Sequence, residues 1–308
     1  MVAETTFDGG CRSEADNLAI KGVAEAYGDK GNHIITSQIE HPAVLNPCRY
    51  LERHGYEVTY LRVDEYGLVD SALVEEAIRE RTILISVMHA NNEVGTVEPI
   101  AAIGAIANAK GILFHTDAAQ SVGKIPTKVD KLGVDLLTIA GHKLYAPKGV
   151  GALYVRAGTK LESLIHGAGH ESGRRAGTEN VSHIVALGKA CEVAALTMPE
   201  NTPRMRMLRD RLHQRLAVEI EGMTLNGHPA DRLPNTLNVS FPGIDGESLL
   251  ARIHEVAAST GSACHAGRTE PQRYCSQWAC RETRRWELFA SVWVSSRPRR
   301  KSIMQRLL

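Results

Sequence analysis

No basic segment followed by an apolar run stands in the opening MVAETTFDGG, so the features of a secretion signal are missing. Nor does any apolar stretch approach the roughly 20 residues that span a bilayer; even the run around Ile139 is broken by charge or histidine. These two absences predict a cytoplasmic protein with no membrane partner. The six cysteines, Cys11, Cys48, Cys191, Cys264, Cys275 and Cys280, have no zinc-like spacing, which argues against a metal site. A chain of 308 residues can bury a core without disulfides. Internal repeats and low-complexity linkers are also missing.

Glycine is absent from residues 271–308, although the chain has 27, and tryptophan is absent everywhere else: Trp278, Trp286 and Trp293 all fall there. The same stretch has nine Lys or Arg against two acidic residues, whereas residues 1–270 have 27 against 33, so the net charge of +1 joins two unlike parts. A basic, aromatic segment suits phosphate contacts, but no recognised module surrounds it, and no nucleic-acid partner is expected. The 43% hydrophobic and 23% charged content is that of an ordinary globular protein.

Helical and strand-like segments alternate. EADNLAIKGVAEAY repeats its apolar residues at helical spacing. HIITS is a β-branched strand, EHPAVLNPCRYLERHG a helix closed near Gly55, EVTYLRV a strand and DSALVEEAIRERT a helix. ILISVMHA is a nearly continuous apolar strand, IAAIGAIANAKG a helix and ILFHTDAAQS a strand ending in polar groups. VDLLTIAGHKLYAPKG runs from a strand into a glycine-punctuated turn, and GALYVR is a short strand beyond it. The pattern predicts an α/β fold: a mainly parallel sheet with helices on both faces and ligand groups at the strands' carboxyl ends. A helix over about 180–196 and a second at RMRMLRDRLHQRLAVEI lead to TLNVSF and GESLLARIHEVAA, a smaller α+β unit. The expected domains are 1–196 and 197–308, the latter atypical from 271.

Several polar groups stand at these strand ends. Lys143 follows an apolar strand and precedes a glycine-containing turn, where partial desolvation lowers an amine's pKa and suits it to carbonyl chemistry. Asp117 closes LFHTD; it either caps a following helix at AAQS or pairs with a charged group such as a protonated pyridine nitrogen. Asn92 and Gln120 are each able to donate to a phenolate oxygen or to hold a loop. His41, in SQIEHPAV, has a ring able to stack and nitrogens able to move protons, or else serves the helix that follows. The loop GGCRSEADN opens a helix and offers Ser13 to an anion, with His142 on the opposite side and Arg12 either helping or crowding. Cys264, in ASTGSACHAGRTEP, is either an ordinary thiol or a nucleophile toward sulfur or selenium, supported by His265 or Arg268.

Taken together, SEADNLAIKG, EHPAVL, HANNEVGT, HTDAAQSVGK, GHKLYAPKGVGALYVR, RRAGTEN, LPNTLNVSF and STGSACHAG resemble the cysteine desulfurase and selenocysteine lyase family of class V aminotransferase-type enzymes, over about residues 7–271. The resemblance implies a fold type I enzyme dependent on pyridoxal 5'-phosphate (PLP), with Lys143 as the Schiff-base lysine and His41 stacked on the ring. It further implies Asp117 opposite the pyridine nitrogen, Asn92 and Gln120 near the phenolate oxygen, and His142 and Ser13 at the phosphate. Thr178 of AGTEN would reach the neighbouring subunit's cofactor in a homodimer, and Cys264 would take the substrate sulfur as a persulfide. The implied substrate is L-cysteine, with L-selenocysteine as the alternative; the implied acceptor is a sulfur-carrier or iron–sulfur scaffold protein.

The sequence also departs from that pattern. The family's longer amino-terminal part is missing, Cys11 and Arg12 stand where its phosphate loop has small residues, and Ala140 stands where a serine is common. After residue 271 the arginine-bearing strand that would clamp a substrate carboxylate is replaced by PQRYCSQWACRETRRWELFASVWVSSRPRR. These departures predict weak or absent turnover. They leave two alternatives: a class V aminotransferase or decarboxylase that needs no Cys264, and a non-catalytic homologue.

Overall fold

The structure is a computed structural model that describes residues 12–244, 246–252, 258 and 259. It divides into two compact units. The first comprises residues 12–63, 69–90 and 98–196; the second comprises 64–68, 91–97 and the described residues from 197 onward.

The first unit alternates helices and strands: α1 (Arg12–Ala26), β1 (His33–Ser37), α2 (Pro42–Glu52), β2 (Glu57–Leu61), α3 (Ser71–Ala77), β3 (Thr82–Ser86), α4 (Ile100–Lys110), β4 (Leu113–Asp117), α5 (Val129–Leu132), β5 (Leu136–Ala140) and β6 (Gly151–Val155). The sheet order is β2-β1-β3-β4-β5-β6. Neighbours are parallel from β2 to β5, and β6 closes the edge antiparallel to β5. The parallel α/β reading therefore holds, with one antiparallel edge strand where the chain reverses after β5.

Successive residues of the central strands enter opposite cores, because side chains alternate across a sheet. Ile34, Leu84 and Leu136 join α1 and α2 residues such as Ile20, Val23 and Val44 on one face. Ile35, Ile85 and Leu137 join Val74, Ile103, Ala107 and Leu132, from α3, α4 and α5, on the other. With both faces covered, β1 and β3 are buried at every position, which explains their uninterrupted apolar and β-branched sequences. Strand β1 is followed in the chain by β2 on one side and flanked by β3 on the other. The order thus reverses at β1, and the loops after β1, β3, β4 and β5 share the carboxyl edge where α/β sheets place ligands.

Helix ends follow local chemistry. Pro42 starts α2 behind the His41 cap, and Asp70 caps α3 by accepting from Ala72 N at 2.9 Å. Helices α4 and α5 end at Gly111 and Gly133 in the left-handed conformation. Some ends differ from expectation: α3 stops at Ala77, short of the expected span through Thr82, and β3 stops at Ser86, short of Ala90; the four-residue α5 was not foreseen.

Helix α6 (Val181–Glu219) is continuous where two helices were expected. Pro199 and Pro203 lie inside it; each removes one ladder donor, leaving the carbonyls of residues 195 and 199 without that bond, yet the helix carries on. Residues 181–196 belong to the first unit and 197–219 to the second. Among the described residues, α6 is one helix long and apolar enough to cross a membrane by length and composition, with a window of mean hydropathy 1.3. The expectation that no stretch comes close is corrected: Lys189 and Glu192, paired at 2.9 Å, punctuate the run without lowering its average below that of a span.

In the second unit β7 (Thr224–Asn226) and β8 (Asn238–Ser240) pair antiparallel, and α7 (Gly246–Arg252) follows. Leu237, Val239 and Phe241 form its small core with Leu212 and Leu216 of α6 and with Ile220 just beyond it. Buried Arg209 donates to Leu233 O at 2.6 Å and pairs with Asp210 at 2.8 Å. That arrangement satisfies a loop carbonyl and the cation together.

Candidate active site

Strands β4 and β5 run in parallel with Asp117 opposite Thr138, and β4 ends at Asp117. Strand β5 ends two residues later in register, at Ala140, and a single 3-10 turn, Gly141–Leu144, carries His142 and Lys143. A glycine is required at its start, since a Cβ on Gly141 would lie 2.6 Å from Val150 O on the returning strand. The turn closes at Tyr145 with φ of 64°, an uncommon conformation for a residue with a side chain, costing on the order of 1–3 kcal/mol. Lys143 is half-buried beside this strained corner.

Asp117 is buried and doubly engaged. One carboxylate oxygen accepts from Ala119 N at 2.9 Å, capping the turn; the other accepts from Arg12 Nε at 2.5 Å and also pairs with Nη2 of that guanidinium. Asp117 thus caps a turn, where a helix was expected, and also pairs with a charged group, Arg12. Burial pushes its pKa upward, but the Arg12 charge, the Ala119 and Arg12 hydrogen bonds and nearby His41 outweigh it and hold the carboxyl below its ordinary value.

Other buried charges surround this pair. Asp16, one helical turn after Arg12, lies 3.6 Å from the Arg12 Nε and 3.6 Å from His115 Nε2. Burial and the Asp117 charge raise its pKa well above the ordinary value. Glu40, buried, accepts from the Ser37 hydroxyl at 2.6 Å and Met88 N at 2.9 Å; burial pushes it up to about 8. His115 bonds Ser86 at 2.9 Å and Thr138 at 3.0 Å, and burial lowers it to about 4, so it is neutral. One guanidinium therefore answers to three carboxyls, of which Asp117 is the one held ionised.

His41 caps α2, its Nδ1 accepting from Ala43 N at 3.1 Å. When neutral the ring therefore carries its proton on Nε2. Gln120 is buried, and its carbonyl accepts from Lys124 Nζ at 2.7 Å. Lys124 is itself buried; burial, then the Lys143 charge, lower it to about 7. His142 is lowered by burial and by Lys143, Arg12, Lys148 and Lys124. Four cations thus converge on one exposed imidazole, a field that suits an anion. Ser13 is exposed in the first turn of α1. Thr178 is exposed in the loop before α6, and that loop is tied to α1 by Arg175 on Glu14 at 2.9 Å.

The first unit thus brings together Asp117, His41, Gln120, His142 and Lys143 on neighbouring strand ends, with Ser13 and Thr178 on adjoining segments. Asn92 falls in a turn of the second unit, half-buried. Cys264 lies outside the described residues. Sequence reasoning missed Asp16, Glu40 and Lys124 as buried ionisable groups, and it left the role of Arg12 open. Asp16 gives a signal in its neighbours, since Ala15, Leu18 and Ala19 mark the same buried face of α1. Glu40 and Lys124 give none: Glu40 is held by Met88 N, far away in the chain, and Lys124 bonds a backbone carbonyl.

Comparison with known proteins supplies the rest. The family model for aminotransferase class-V matches residues 3–290. A protein named cysteine desulfurase IscS from Dictyoglomus turgidum is 52% identical over 266 residues, covering 86% of this chain and 68% of the relative. One of the same name from Methanosarcina thermophila is 53% identical over 261 residues, covering 84% of this chain and 64% of the relative. The chain thus spans about two thirds of the length of these relatives. Among solved structures, a NifS-like protein aligns with TM-score 0.87 at 34% identity, over 98% of this chain and 80% of that one. A structure titled SspA in complex with cysteine aligns with TM-score 0.79 at 37% identity, over 94% of this chain and 82% of that one.

Proposed function

Because the chain belongs to the aminotransferase class-V family, in its cysteine desulfurase branch, we propose that it removes sulfur from L-cysteine, with PLP as cofactor, to give L-alanine and a persulfide on Cys264. The observation that carries this reading is the placement of Asp117 at the end of one parallel strand and Lys143 just beyond the end of its neighbour, inside a cluster of cations. The donor set suits the cofactor's chemistry: an amine for its aldehyde, a carboxylate for its ring nitrogen, and a converging positive field for its phosphate. One residue disagrees, since the Arg12 guanidinium already holds Asp117.

When bound, PLP supplies an electron sink that acidifies the substrate Cα and weakens its Cβ–sulfur bond. Lys143 holds the cofactor and then moves a proton at Cα. His41, protonated at Nε2 and fixed by its cap at Nδ1, orients its ring and shuttles a proton. Gln120 would donate toward the phenolate oxygen, while His142 and Ser13 would hold phosphate oxygens. The Cys264 thiolate attacks the substrate sulfur; the S–S bond forms as the Cβ–S bond breaks, and the carbon takes a proton to leave as alanine.

We read the protein as a cytoplasmic homodimer. The apolar face of α6 bearing exposed Val181, Val185 and Leu196 supports that state, since a second copy would cover it, and Thr178, just ahead of it, would reach the neighbouring subunit's cofactor. A sulfur-carrier or iron–sulfur scaffold protein would receive the persulfide. The test is alanine formed from L-cysteine by the PLP-loaded chain. Cys264→Ala is expected to abolish turnover. Full activity of that variant would contradict the persulfide step on Cys264.

A further inference from the structure

Buried Arg12 lies at the carboxylate that the proposed function assigns to the cofactor's ring nitrogen. Its Nε donates to Asp117 Oδ2 at 2.5 Å, its Nη2 pairs with the same oxygen, and Asp117 Oδ1 is taken by Ala119 N. The side chains of Arg12 and Asp117 are 8% and 1% exposed, so solvent does not weaken their attraction. Helix α1 fixes the cation from behind: Asp16 lies one turn on at 3.6 Å, and neighbouring Ala15, Leu18 and Ala19 are packed in the core. A protonated ring nitrogen needs the same carboxylate and the same charge balance.

Resting on the PLP reading above, we infer that Arg12 is a resident counter-ion that competes with the cofactor's ring nitrogen for Asp117, so that this chain captures PLP without using that carboxylate. The chemical logic is exchange of one cation for another. With guanidinium in place, the ionised Asp117 is balanced and the cofactor gains nothing from a basic ring nitrogen. With it removed, Asp117 is left without its cation, and a pyridinium restores the balance. Arg12 is then a residue that sets cofactor preference, by a contact on the ring rather than on the phosphate.

The test is equilibrium titration of the full 308-residue chain and of Arg12→Gln with PLP and with its carbocyclic analogue, in which CH replaces the ring nitrogen. Binding is read by visible absorption, with Lys143→Ala as control. For the unaltered chain the two ligands are expected to bind within about twofold of each other. For Arg12→Gln, PLP is expected to bind at least about tenfold more tightly than before, while the analogue changes little. Equal PLP affinity in the two proteins, or a tenfold preference for PLP already present in the unaltered chain, overturns the inference while leaving the PLP reading intact. Absence of any Lys143-dependent signal in every chain overturns both. Where Arg12→Gln fails to fold, Arg12→Lys decides, because its ammonium keeps the charge but loses the two-nitrogen grip. A preference for PLP of at least about threefold supports the inference, and none refutes it.

Discussion

Glu40 gives the fold a pH dependence that a single substitution isolates. Its carboxyl is buried beyond the carboxyl ends of β1 and β3, accepting from Ser37 and Met88 N, and burial holds its pKa near 8 against an ordinary value of 4.5. The folded chain therefore binds more protons than the unfolded chain between those values, so this group's contribution to stability falls as pH rises through that window. Carried to full ionisation, the loss is about 5 kcal/mol. Glu40→Gln keeps a carbonyl oxygen for the two donors and cannot ionise. Urea unfolding followed by far-ultraviolet circular dichroism, from pH 5 to 8.5, is the assay. The stability of the variant minus that of the unaltered chain is expected to rise with pH by at least about 2 kcal/mol and to level off above pH 8. A flat difference, or one that falls with pH, would refute the burial argument.

Two further outcomes follow from packing and charge. Gly104→Ala improves helix propensity by about 1 kcal/mol, but the added Cβ would lie 2.2 Å from Leu132 O, backbone that cannot swing aside; thermal unfolding is expected to show a net loss of about 1–3 kcal/mol. Lys124 titrates near 7 rather than 10.5, so the unfolded chain binds the extra proton and this group's contribution rises with pH between those values. Lys124→Met should remove that rise, and a melting profile unchanged above pH 7 would contradict the burial of its charge.

The sheet was legible because its strands are short apolar runs punctuated by glycine and polar ends. HIITS, ILISVMHA and LLTIA became β1, β3 and β5 with both faces covered, and the turn at GHK fell where a glycine was needed against Val150. Boundaries that depend on tertiary support were less legible. Propensity favoured a break at Pro199 and Pro203, yet α6 runs through both. At the site, Asp117, His142 and Lys143 were readable as polar groups at strand ends. The Arg12–Asp117 pair joins residues 105 apart in the chain and has no local signal. Lys124 was likewise hidden, since its partner is a backbone carbonyl and its burial comes from packing.

The central claim is that Lys143 anchors PLP, and the visible spectrum of the chain at saturating PLP, after removal of free cofactor and beside Lys143→Ala, tests it most directly. The account predicts an absorption band that the unaltered chain retains and Lys143→Ala lacks. A band of equal strength in both proteins, or none in either, would contradict it.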